Sequence, residues 1–308
     1  MKYKQLFLQT LKKILKISFI VMIIAYILLF IFVERIERFA TFPGTDVNLK
    51  ELVQHPAGII AAEDIYTTSG EGERIHGIYI DNQAEKTVFY FHGNGAPMQY
   101  FYTEKRYIGD LGYNVMSFDY PGYGNSEGEP SQEEVREFAA TFYDYVTQKK
   151  DIADEDVIIW GYSVGTAVAI DFAKDRDFDK LVLFSPFASR YDMARKAFGF
   201  APQKLVLHGN SYNSAENIKN IDEATLIIHG NTDIVVPFEQ GRDVYQNSGA
   251  EEKYFIELDN FGHSLITERY GDVLAYYITD FLNGKGLESE YTFLDREKAE
   301  ELLKKENK

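Results

Sequence analysis

The chain opens on an unbroken apolar stretch and then settles into short runs separated by polar turns. From Ile17 to Val33 every position is apolar except Ser18 and the amphipathic Tyr26, and extension back to Ile14 gives 20 residues, about 30 Å of helix. That length predicts a transmembrane helix, with Lys16 one turn inside its end, where a long stem carries the ammonium to the interface. Lys2, Lys4, Lys12, Lys13 and Lys16 lie on its N-terminal side, whereas Glu34, Arg35, Glu37 and Arg38 balance on the other. The asymmetry predicts a single-pass protein with a cytoplasmic N-terminus and the remaining chain on the outer face. A cleaved signal peptide is the competing reading. Its apolar core is normally about 7 to 15 residues, and only Ala40 offers a weak cleavage site.

Residues 34–61 carry Pro43, Gly44, Pro56 and Gly58 and read as a connector with little regular structure. Beyond it, Glu63 to Thr68 and Arg74 to Ile80 flank Ser69-Gly70-Glu71-Gly72-Glu73, the composition of a hairpin. Continuous apolar runs follow at Thr87 to Phe91, Asn114 to Phe118, Val157 to Trp160, Leu181 to Phe184, Thr225 to Ile228 and Lys253 to Leu258. Such runs suit central strands buried on both faces. Helical patterns at Pro97 to Leu111, Ser131 to Lys149, Val164 to Lys174, Phe238 to Asn247 and Tyr270 to Leu282 lie between them. The alternation predicts an α/β domain over about residues 62–285, its sheet mostly parallel with helices on both faces and a short lid at about 187–222. Residues 286–308, dense in Glu and Lys, read as a charged tail, either a solvated terminal helix or a frayed end.

Composition narrows the chemistry. A net charge of -16 and the lack of a basic stripe exclude nucleic acid as an expected partner. With no cysteine there can be no disulfide, thiolate nucleophile or cysteine-held metal. Neither H-E-x-x-H nor a close pair of histidines occurs, nor does a phosphate-binding G-x-x-x-x-G-K-[ST], so no cofactor and no metal are expected.

What remains is nucleophilic. Gly161-Tyr162-Ser163-Val164-Gly165 follows a strand and opens a helix, the setting a nucleophile elbow requires, since side chains at the two glycines would collide with neighbouring backbone. An activated serine needs a base and an acid, which in this architecture follow in the order Ser, acid, His. Of the six histidines only His263, in Phe261-Gly262-His263-Ser264, follows the last strand. His55, His76, His92, His208 and His229 read as turn or core residues. Asp233, on the loop after the strand at Thr225, is the expected acid, and Asp192 is its rival. Asp119 precedes the elbow and reads as a structural turn residue. The oxyanion donors are expected from Val164 and from Asn94, with Gly95 as fallback, in Phe91-His92-Gly93-Asn94-Gly95-Ala96.

Together these segments resemble the α/β-hydrolase superfamily, and more narrowly its membrane-anchored serine hydrolases with a His-Gly-Asn-x-Gly oxyanion loop. The resemblance rests on His92-Gly93-Asn94-Gly95, on Asp119-Tyr120-Pro121-Gly122-Tyr123-Gly124-Asn125-Ser126-Glu127-Gly128, on the elbow, on Ser185-Pro186-Phe187, on Asp233 with Val236-Pro237, and on Gly262-His263. One departure is that Gly95 directly follows Asn94 where many relatives have Ala and then Gly. Lipases, lysophospholipases, acyl-protein thioesterases and proteins labelled peptidases by similarity share the pattern. The resemblance implies hydrolysis through Ser163, His263 and Asp233 without choosing the substrate. A peptidase, or a membrane-tethered binding protein that has lost turnover, stands as the alternative. Phe187, Tyr191 and Met193, with Phe198 and Phe200, are expected to meet an acyl chain from the lid, or else to pack the lid onto the sheet. The expected partners are therefore a lipid or acylated substrate and the membrane. The oligomeric state is not legible.

Overall fold

A computed structural model describes residues 2–42, 62–94, 111–193, 212–263 and 271–306. Helix α1, Lys2–Thr41, continues eight residues into the expected connector, and residues 43–61 lie outside the described residues. Large apolar side chains of α1 from Ile14 to Leu28 are 41% to 61% exposed and point to every side of the helix. Among the described residues, however, no helix is long and apolar enough to cross a membrane. Between Lys16 and Leu28, the last of its residues whose side chain is described, the run is 12 residues, short of the roughly 20 a bilayer needs. The described part of α1 thus falls short of the expected transmembrane span.

The folded domain is built on a nine-stranded sheet in the order β1-β2-β4-β3-β5-β6-β7-β8-β9. Its strands are β1 Ala62–Thr68, β2 Arg74–Ile80, β3 Thr87–Phe91, β4 Asn114–Phe118, β5 Val157–Tyr162, β6 Lys180–Phe184, β7 Thr225–Gly230, β8 Lys253–Leu258 and β9 Tyr291–Leu294. β1 pairs with β2 and β2 with β4 antiparallel; all other pairs are parallel. The expected α/β fold is therefore the observed one.

Alternation along the buried strands supplies two cores. Phe89, Phe91, Ile159, Leu183 and Ile227 face one side, whereas Val88, Tyr90, Trp160, Val182 and Ile228 face the other. The first side is covered by α2, Gln132–Lys150, and α3, Val164–Ala173, the second by α5, Gly271–Leu282. α4, Phe238–Asn247, packs beside β7 and β8. α2 begins where the Ser131 side chain accepts the Glu134 amide, and stops at Asp151, whose φ of 56° turns the chain out of the helix. Every residue of α3 is buried, and its small side chains at Gly165, Ala167 and Ala169 let it lie close on the sheet.

The C-terminal segment ends in a helix, as one reading of it expects, but it is preceded by a strand that the sequence did not suggest and is anchored rather than wholly solvated. β9 extends the sheet by pairing with β8, and α6, Arg296–Glu306, packs on α5. Leu294 is fully buried and Ala299 nearly so, which gives this charge-rich segment an apolar anchor in the second core. The helix expected at Pro97 to Leu111 lies outside the described residues, apart from its last position.

Candidate active site

The nucleophile elbow follows from local sterics. Ser163, between β5 and α3, has φ 54° and ψ -122°, a backbone conformation that costs energy in any non-glycine residue. A Cβ on Gly161 would stand 2.6 Å from the Thr166 Cα, and one on Gly165 would stand 2.1 Å from the carbonyl oxygen of Phe91. Only glycine lets the turn close and lets α3 lie against the end of β3. The Ser163 amide donates to the Phe184 carbonyl at 2.9 Å and the Thr166 hydroxyl to the Ser163 carbonyl at 2.6 Å, which hold the strained residue between β6 and α3.

His263 approaches this serine from the loop after β8. Its Nε2 lies 2.8 Å from Ser163 Oγ and its Nδ1 lies 2.7 Å from Asp233 Oδ2. Asp233, on the loop after β7, has a fully buried side chain, while that of His263 is 17% exposed. Oδ1 of Asp233 accepts the amides of Val235 and Val236, both at 2.8 Å. Burial raises the affinity of this carboxyl for a proton, yet the neighbouring imidazoles of His229 and His263, with the Val236 amide, outweigh it and hold the group below the usual carboxylate range. The loops after β7 and β8 are also joined by backbone: Thr232 donates to the Phe261 carbonyl at 3.0 Å, and a Cβ on Gly230 would stand 2.3 Å from that oxygen. Acid and base are thus parts of one stapled unit.

The rival acid goes elsewhere. Asp192 Oδ2 accepts the Ser189 hydroxyl at 2.5 Å, closing a local turn. Asp119, read as structural, accepts from His76 Nδ1 at 2.7 Å and from the Asn125 amide at 3.0 Å, which pins the hairpin to its own loop.

Of the expected oxyanion donors, Val164 opens α3, where the first amides of a helix have no partner within it. Gly93 lies against the nucleophile, since a Cβ there would be 2.8 Å from the Tyr162 ring and 3.4 Å from the Ser163 Cβ. Asn94 follows it, and Gly95 lies outside the described residues. Three tyrosines that sequence reasoning missed support these loops. Tyr120 stacks on His92 at 3.9 Å and donates to its carbonyl at 2.8 Å, and the Tyr123 hydroxyl donates to Asn94 Oδ1 at 3.3 Å. The Tyr162 hydroxyl donates to the carbonyl of His263. Their only signal was position, next to residues already singled out.

The expected acyl-contact residues are placed unevenly. Phe187 is buried in the same core cluster as Val164, Met193 packs against that cluster, and Tyr191 is half-buried. These positions favour the packing role for Phe187 and Met193. Residues 194–211 of the expected lid, with Phe198 and Phe200, lie outside the described residues. Among the described residues, Ile234 at 83% and Val235 at 52% are instead the exposed apolar side chains beside Asp233. No cluster able to hold a metal ion occurs among the described residues.

Known proteins align with this arrangement. A sequence profile of the family described as "Serine aminopeptidase, S33" matches residues 82–210, a stretch that holds the His92–Asn94 loop and the Ser163 elbow but ends before Asp233 and His263. The uncharacterised Escherichia coli protein YfhR is 25% identical over 232 residues, covering 72% of this chain and 81% of that protein. The lysophosphatidylserine lipase ABHD12 of Danio rerio is 31% identical over 177 residues, 51% of this chain and 46% of the lipase, so the chain aligns with under half of its length. Among solved structures, the Pyrococcus furiosus esterase Pf2001 superposes with a TM-score of 0.62 at 18% identity, over 79% of this chain and 96% of that one. An acetyl xylan esterase from Paenibacillus sp. R4 does so with 0.61 at 14% identity, over 76% and 86%. The fold is the α/β-hydrolase fold, and the relatives support a hydrolase of that superfamily.

Proposed function

We propose that this protein is a serine hydrolase that cleaves acyl ester or thioester bonds through an acyl-enzyme intermediate. The observation that carries the reading is the continuous chain from Ser163 Oγ to His263 Nε2 at 2.8 Å and from His263 Nδ1 to Asp233 Oδ2 at 2.7 Å, mounted on a strained elbow. His263 takes the Ser163 proton on Nε2 as Oγ adds to the acyl carbon. Asp233 fixes the tautomer and stabilises the imidazolium. The oxyanion formed in that step is assigned to the Val164 amide and to an amide of the loop at Asn94 or Gly95. Collapse expels the alcohol or thiol, which leaves with the proton from Nε2, and a water deprotonated by the same nitrogen then hydrolyses the acyl-enzyme.

Ile234 and Val235, exposed on the acid loop, are apolar surface of the kind an acyl chain covers. The proposal extends to location. The apolar side chains around α1 leave it without a polar face from Phe19 to Leu28, and residues 29–33, Leu-Phe-Ile-Phe-Val, continue the pattern in sequence. We assign α1 as a lipid anchor, with the lysine-rich end cytoplasmic and the domain outside. An amide hydrolase is the second reading, favoured by the "Serine aminopeptidase" profile over residues 82–210. One experiment separates them: the wild-type chain and Ser163→Ala are labelled with a fluorophosphonate and assayed on acyl esters, thioesters and aminoacyl amides. Labelling that requires Ser163, with ester or thioester turnover, supports the proposal. Preference for amides replaces it with the second reading, and absence of labelling leaves a binding protein.

A further inference from the structure

His229, in β7, reads in sequence as a turn or core histidine, yet its imidazole is directed at the acid of the triad. Its side chain is fully buried, like that of Asp233, and Nε2 lies 3.0 Å from the Val236 carbonyl oxygen and 3.5 Å from Asp233 Oδ2. Nδ1 has no hydrogen-bond partner among the described residues and faces Gly241, where a Cβ would stand 2.1 Å from it. With acceptors on one side only, the ring hydrogen belongs on Nε2, between the carbonyl and the carboxylate. Phe238 closes the ring edge-on at 5.8 Å.

Among the described residues, no other charge competes for the imidazole. Its register partner on β8 is Glu257, whose carboxylate is taken by Asn231 Nδ2 at 2.9 Å and by the Tyr291 hydroxyl. On α4 the facing residue is Gly241, and Glu239, Arg242 and Asp243 are exposed. Asp233 thus accepts two amides on Oδ1 and the His263 imidazole on Oδ2, with Nε2 of His229 3.5 Å from the same Oδ2.

We propose that His229 is a positioning residue for the triad: its Nε2–H holds the Asp233 carboxylate in the plane that His263 needs and takes up part of its charge. The inference rests on the hydrolase reading and adds to it a second histidine, behind the acid and out of reach of substrate. A merely structural His229 would close the loop onto the Val236 carbonyl and leave the chemistry alone. The distinction is measurable. His229→Leu keeps most of the volume without the donor, whereas His229→Gln keeps an N–H at similar reach.

The full-length protein in detergent is assayed on a short soluble acyl ester, with rates normalised to sites titrated by fluorophosphonate. We expect His229→Leu to lower kcat about three- to tenfold, the effect of one hydrogen bond, at unchanged KM. The acid limb of its kcat/KM profile should move to higher pH, because an Asp233 charge no longer shared stabilises the His263 imidazolium more. His229→Gln should restore most of kcat and return the limb toward its wild-type position. A Leu variant with wild-type kcat and an unmoved limb overturns the inference, as does a Gln variant as impaired as Leu. Should Leu not fold, His229→Asn, whose shorter amide does not reach Oδ2, replaces it in the comparison with Gln. Wild-type protein that fails to label at Ser163 sinks the hydrolase reading itself, whereas a labelled wild type with an unaffected Leu variant sinks only the role of His229.

Discussion

A single residue's surroundings decide how each substitution in the site will act. Ser163→Ala and His263→Ala should each lower ester turnover by about a thousandfold or more, and the double variant should add little, because they act as one unit. Steady-state rates of the three proteins check this; independent, multiplying losses would contradict it. Asp233→Asn should be nearly as damaging, since an amide at Oδ2 would no longer hold Nδ1–H of His263. Tyr162→Phe removes the hydroxyl that holds the His263 carbonyl, and should lower kcat about two- to tenfold while leaving the melting temperature nearly unchanged. The grouping of Ser163, Asp233 and His263 was legible as a candidate because their order along the chain follows the order of the strands that carry them. Tyr162, Tyr120 and His229 could not, since a tyrosine or histidine beside a motif carries no signal until the fold shows which carbonyl or carboxylate it meets.

At the scale of the element, electrostatics at the start of α2 sets a dependence on pH. Glu134, in the first turn of that helix, lies beside Glu73 and Glu129, and burial, with the neighbouring Glu73 carboxyl, pushes its own carboxyl up to about 7 despite the Glu129 amide it accepts. A folded value above the ordinary 4.5 means that the native state holds this proton more tightly than the unfolded chain. The stabilisation is complete below about 4.5 and is lost as pH rises through about 7. Urea midpoints should therefore fall across that window, and Glu134→Gln should flatten the slope; equal slopes in both proteins would refute the assignment. β9 makes a second test. Leu294→Ala, at a fully buried site under α6, should cost about 2–5 kcal/mol by chemical denaturation. β9 escaped the sequence reading because Tyr291-Thr292-Phe293-Leu294 is a short alternation among charged residues, half buried by a strand it meets only in the fold. β3, β4 and β8, by contrast, were bounded correctly, because apolar runs buried on both faces need no partner to be recognised.

Seen whole, the molecule joins a sheet, with Ser163, Asp233 and His263 at the ends of its strands, to a long helix whose described apolar side chains are exposed from Ile14 to Leu28. The described part of α1 does not show the expected transmembrane span, whereas the mostly parallel character of the sheet was legible from the alternation of runs. The junction between the two was not. Phe42, one residue past α1, is 3% exposed and makes edge contacts with Tyr120, Tyr123 and Tyr212 at 5.8, 6.4 and 6.0 Å. Tyr120 and Tyr123 are the residues that hold His92 and Asn94. Phe42 is therefore a plug behind the loop of His92 and Asn94, and the place of a cut matters more than the cut itself. A fragment released before Phe42, starting at Glu34, should retain its turnover of dissolved esters, whereas one starting at Pro43 should lose most of it and melt earlier. Shedding of the domain by a protease would then be two different events: a cut on one side of Phe42 liberates a working enzyme, and a cut a few residues further on disarms it.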